Sequence, residues 1–183
     1  MFEAIERRAS FMLLALSFFV LIGTSTYLFN PSASWNILLE NIEAPAPELQ
    51  PRLDTSQITE FFDQLPSDQL RTYVFYEGFV DALYYLSNAA FFLILLGLAL
   101  KRAPGFGRRF TWLLTLPFLI LGFEILEAVT LLSIAYWHPQ APMIWLHVSD
   151  FSTLGKMVSY LATFIAGLLA LFMLVWSFIP KRA

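Results

Sequence analysis

The chain has 183 residues, of which 58 % are hydrophobic, 17 % aromatic and only 14 % charged, with a formal net charge of −3. Soluble domains carry about a quarter charged residues, so this composition belongs to a polytopic membrane protein. The absence of cysteine excludes disulfides, thiolate metal sites and cysteine nucleophiles.

Four segments are long and apolar enough to cross a hydrocarbon core about 30 Å thick: Phe11–Phe29, Ala82–Leu100, Phe110–Trp137 and Phe151–Ile179. The first is read as a retained anchor. Glu6-Arg7-Arg8 precede it and Ser32-Ala33-Ser34 has the small side chains of a cleavage site. Its apolar run nevertheless exceeds the 7–15 residues of a signal-peptide core, and Asn30 and Pro31 end it as a helix. Arg7, Arg8, Lys101, Arg102, Arg108, Arg109, Lys181 and Arg182 flank one side of the membrane, against Arg52 and Arg71 on the other, which predicts that both termini are cytoplasmic.

The first outer loop, residues 30–80, carries Glu40, Glu43, Glu48, Asp54, Glu60, Asp63, Asp68 and Glu77 against its two arginines, which excludes nucleic acid as a partner. It opens with an apolar patch, Trp35 to Leu39, at interface depth. Three prolines between Ala44 and Pro51 predict an extended strap. Asp54 and Gln57 read as a capping box for an amphipathic helix over Thr55–Leu65, ended by Pro66. From Ser67 no proline intervenes before Pro104, so one helix is expected to run from the loop through the second span. Lys101 to Arg109, with Pro104, Gly105 and Gly107, reads as a tight cytoplasmic hairpin. The short loop His138 to Asp150 connects the third and fourth spans on the outer side. The whole is expected to be one all-α membrane domain, a four-helix bundle with a long, partly helical extracytoplasmic loop.

The polar residues inside the spans carry the functional argument. At about 100° per residue, Tyr73, Glu77, Asp81, Tyr84 and Asn88 share one narrow arc of the second helix, and Thr153, Lys156, Ser159, Tyr160 and Thr163 share an arc of the fourth. Glu124 and Glu127 on the third span are neighbours by their three-residue spacing. Glu124 falls near the midplane and Glu127 about one turn further out, within reach of Lys156. Burying the three charges separately would cost roughly 9 kcal/mol on insertion scales, so they are expected to pair, with one proton shared between the glutamates.

These residues form an outward-opening polar cluster that reads equally as a buried ionic latch or as a site. As a site it leaves open a lipid headgroup, a proton-coupled carrier, or an intramembrane acid/base enzyme on a lipophilic substrate working through Glu124, Glu127 and Lys156. Glu124-x-x-Glu127 lacks the Glu-x-x-His repeats of di-iron bundles, and His138 and His147 lie in the short outer loop, so no metal is expected. Neither nucleotide, serine-hydrolase nor zinc-protease motifs occur, and no cofactor is indicated. Trp35, Trp112, Trp137, Trp145 and Trp176 read as interface belts, and Ala162, Ala166, Gly167 and Ala170 as close helix packing.

The order of YVFYEGFVDALYYLS with Asp81, Glu124-x-x-Glu127 and TLGKMVSYL with Lys156 resembles a group of small bacterial four-helix membrane proteins, over roughly Phe61 to Leu168. That group has Asp and then Glu-Asn on the third helix, where this chain has Glu124 and Ala128. The resemblance implies a bacterial inner membrane and clustering of these residues, and supplies no activity. The loop lengths are similar to those of claudin-like tetraspan proteins, whose tryptophan and paired-cysteine signature is lacking. The expected function is that of a membrane interaction or accessory protein with a bound lipid, docking a membrane-protein partner through its acidic loop.

Overall fold

Apolar runs bounded by proline, glycine and basic residues become the long helices of this protein. The computed structural model describes residues 2–29, 42–44, 46–47, 55–102 and 110–178. Its helices are α1 (Phe2–Arg8), α2 (Phe11–Leu28), α3 (Ser56–Gln64), α4 (Leu70–Arg102), α5 (Thr111–Trp137) and α6 (Met143–Ser177). Helices α2, α4, α5 and α6 are long and apolar enough to cross a membrane, and the protein is an all-α four-helix membrane protein. At 1.5 Å per residue α6 is about 50 Å long, so part of it stands outside a 30 Å core. Large apolar side chains such as Ile125, Leu161 and Phe172 are exposed around the bundle, as a lipid-facing surface requires.

Several boundaries differ from those expected. Phe2–Arg8 is itself helical, and the chain breaks before α2, where Ser10 in extended backbone accepts a hydrogen bond from the Leu13 N–H at 3.3 Å. Helix α6 begins at Met143 rather than Phe151. Pro142 occupies its N-cap position, and between there and Gly155 the sequence holds no proline or glycine to stop a helix, so His147 and Asp150 fall inside it. Helix α4 is continuous from Leu70, but a π-turn interrupts it at Tyr76–Asp81. Thr55 at the start of α3 makes no side-chain cap, and Asp54 lies outside the described residues. So do the Trp35–Leu39 patch, most of the proline strap and residues 103–109 of the basic hairpin.

Helices α5 and α6 form the most extensive pair, α4 packs against both, and α2 lies chiefly on α4. Glycine makes one of these approaches: a Cβ on Gly155 of α6 would overlap the Phe123 ring on α5. At one end of the bundle, the basic end, the Arg102 guanidinium lies 5.2 Å from the Phe11 ring and 5.5 Å from that of Phe178, joining α2, α4 and the end of α6. At the other end α3 forms a lid. Its Ile58, Phe61 and Phe62 pack with Tyr73, Leu131, Ile134 and Leu146. Gln64 Oε1 accepts the N–H groups of Glu43 and Ala44 at 2.8 and 3.1 Å, and Asp63 meets His138 Nε2 at 3.0 Å.

Gly155→Val is expected to lower stability by about 1–3 kcal/mol through overpacking against Phe123. Adding Phe123→Leu should restore part of the loss, read as the thermal unfolding midpoint of the detergent-solubilised protein.

Candidate functional site

Three-residue spacing on two facing helices builds the centre of the site. Helix α5 presents Glu124 and Glu127 on one face, and α6 presents Thr153 and Lys156 toward them. Lys156 Nζ lies 3.1 Å from Glu124 Oε2 and is ion-paired with Glu127 Oε2 as well. The Thr153 hydroxyl donates to Glu127 Oε1 and lies 3.0 Å from the Ser149 carbonyl on its own helix. From α4, Tyr85 places its ring 4.8 Å from Lys156 Nζ, a cation–π contact. Glu77, in the π-turn of the same helix, brings a third carboxylate: one oxygen from each of Glu77, Glu124 and Glu127 lies within 4.8 Å of the others.

These groups are enclosed. Lys156 and Glu124 are 2 % exposed, Glu77 1 % and Glu127 0 %. On the lid side lie Tyr73, Tyr76, Val80, Leu131 and Ile134, under Phe61 and Phe62. On the basic side lie Phe92, Leu95, Leu96, Leu114, Ala166 and Ala170. The cluster is therefore a polar layer between two apolar layers. This corrects the outward opening inferred from sequence: helix periodicity places polar faces together, but the aromatic side chains of the lid close the end.

Not every sequence-derived candidate joins the cluster. Glu77, Glu124, Glu127 and Lys156 come together, and Asp81, partly exposed, interacts with Glu124. Tyr73 lies in the lid's aromatic group, its ring centroid 5.6 Å from Phe61 and 5.3 Å from Phe62. Tyr84, Asn88 and Tyr160 form a separate seam between α4 and α6, in which Asn88 Nδ2 donates to the Tyr160 hydroxyl at 3.3 Å and Tyr84 interacts with both. Ser159 is buried, and its carbonyl accepts the Thr163 hydroxyl at 2.7 Å.

Tyr85 is the member that sequence reasoning missed. A π-turn inserts an extra residue into the helical repeat, which shifts downstream side chains back by about one position. The arc assigned to Tyr84 on a uniform helix thus passes to its neighbour. The mid-span run Tyr84-Tyr85, two aromatic hydroxyl residues side by side, was the available signal.

Chemically, the arrangement holds an ammonium between two carboxylates and an aromatic face, with a third carboxylate alongside. Carboxylate oxygens at this spacing would suit a hard cation. Lys156 already occupies the position between Glu124 and Glu127, so the donor set is filled by the chain's own cation.

Lys156→Met alone is expected to cost about 3–5 kcal/mol, because it strands buried carboxylates. The triple variant Lys156→Met with Glu124→Gln and Glu127→Gln should recover most of that, measured by denaturant unfolding of the purified protein.

Comparison with known proteins finds no matching family model, no matching curated protein and no matching solved structure.

Proposed function

We propose that this protein is an integral inner-membrane interaction or accessory protein, with the basic end cytoplasmic and the lid on the outer face. The observation that carries this reading is the enclosure of the Glu124, Glu127 and Lys156 cluster between two apolar layers. A latch needs such enclosure to fix helix register, whereas a substrate site needs access. The lid is the docking surface. It shows Glu60 to solvent on a helix fixed to the bundle by its apolar face, with Glu43 and Asp68 exposed in the segments beside it, and it suits a membrane partner with basic residues at that level. Membrane lipid is the second partner. Arg7, Arg8, Lys101 and Arg102 at the opposite end support the orientation.

An acid/base or proton-coupled role for the cluster is the second reading, and Glu77 favours it. Three buried carboxylates against one ammonium exceed what a latch requires, and π-turns such as the one carrying Glu77 recur at functional sites.

The orientation is testable because the chain has no cysteine of its own. In intact cells a membrane-impermeant maleimide should label Ser67→Cys and not Arg8→Cys, and the reverse pattern would refute it. For the docking role, Glu60→Lys with Asp68→Lys should weaken copurification of a native membrane partner about tenfold at low salt without changing the melting temperature. Undiminished copurification overturns it. Lys156→Met with Glu127→Leu separates the two readings: a folded variant that keeps its partner supports the latch, and a folded variant that loses all activity supports the acid/base role.

A further inference from the structure

Helices α1, α2 and α4 form a groove of about 400 Å³ at the basic end, lined by Ala4, Arg8, Ala9, Leu13, Ala90, Leu93 and Ile94, among others. We propose that this groove binds one anionic phospholipid, its acyl chain lying against Leu13, Leu93 and Ile94 and its phosphate on Arg8. The proposal needs the membrane placement of the helices but not the accessory role.

The groove is a built feature. Helix α1 folds back against α4, where a Cβ on Gly97 would stand 3.2 Å from Ile5 Cγ2 and 3.4 Å from Ala9 Cβ, so the missing side chain permits the close approach. Lys101 at the end of α4 fixes the corner, its Nζ lying 3.3 Å from the Arg7 carbonyl and 3.2 Å from the Ala9 carbonyl. A second positive charge thereby stands beside the Ala9 wall of the groove.

The lining is almost wholly apolar, and Arg8 is its charged member. Apolar walls in a membrane suit an acyl chain, and a guanidinium at the interface suits a phosphate, which it binds in a bidentate fork. Charge on α1 is sorted accordingly. At about 100° per residue, Ala4 and Arg8 fall on one side of Ile5 while Glu3 and Glu6 fall on the other, so neither carboxylate shares the arginine's face. A zwitterionic lipid fills the same walls but gains less from Arg8 and Lys101. The selectivity expected is therefore for net negative headgroups.

The test uses the full chain, delipidated in detergent and given back phosphatidylglycerol or phosphatidylcholine of identical acyl chains, with bound lipid counted by native mass spectrometry. The wild type should retain one phosphatidylglycerol at least about fivefold more strongly than phosphatidylcholine, the effect of roughly one interfacial basic residue. Arg8→Gln should remove most of that preference, Ala90→Trp should reduce retention of both lipids by filling the groove, and Arg7→Gln should leave retention unchanged. Melting temperatures report that the variants are folded. Equal retention of the two lipids by the wild type, unchanged retention in Arg8→Gln or Ala90→Trp, or equal losses in Arg7→Gln and Arg8→Gln would overturn the proposal.

Discussion

The ammonium of Lys156, held between Glu124 and Glu127, is the constraint around which the bundle is arranged. A charge at that depth has no water to turn to, so α5 and α6 must keep a register that brings the three groups together. Helix α4 must then present Tyr85 to the ammonium, because an apolar aliphatic side chain there would leave one face of the ammonium without a polar or aromatic partner. Apolar side chains can slide past one another with little penalty in a bilayer, where lipid is as good a neighbour as leucine. The ionic layer cannot, and it removes that freedom from three of the four long helices.

The two apolar layers complete this logic. Phe61, Phe62 and Tyr73 exclude water from the lid side, and the packing of Phe92 and Leu95 with Ala166 and Ala170 closes the basic side. In the resulting low-dielectric interior the attractions among the buried charges are strong, and so is the penalty for misplacing one. The lid thus has a structural role beside its exposed acids: its inner face keeps the ionic layer dry.

Much of this was legible in the sequence, for identifiable reasons. Glu124, Glu127 and Lys156 stood out because charge in an apolar run is costly enough to demand an explanation, and their spacing left few ways to satisfy one another. The four spans were legible from length and hydropathy, and α3 from its helical repeat of Ile58, Phe61 and Phe62. The early start of α6 was obscured by His147, Ser149 and Asp150, which read as loop by polarity although nothing among them breaks a helix. Tyr85 and the true place of Tyr73 depended on the π-turn and on the docking of the lid. The first is an irregularity of the helix backbone and the second a tertiary event, and the uniform helical repeat used to place side chains registers neither. The closure of the cluster was hidden for the same reason.

The sparse packing of α2 bears on how much that helix depends on its neighbours. Among the described residues this helix buries only Ser17, and its main neighbour, α4, follows it in the chain only after the long loop. Most of its surface is therefore left to lipid. Its own hydroxyls make that tolerable: Ser17 donates to the Leu14 carbonyl, Thr24 to those of Val20 and Leu21, and Ser25 to that of Leu21. Across the interface the Thr24 oxygen lies 2.8 Å from that of Ser87 on α4. A helix that satisfies its polar atoms internally depends little on its neighbour, whereas α4, α5 and α6 are tied to one another through the ionic layer.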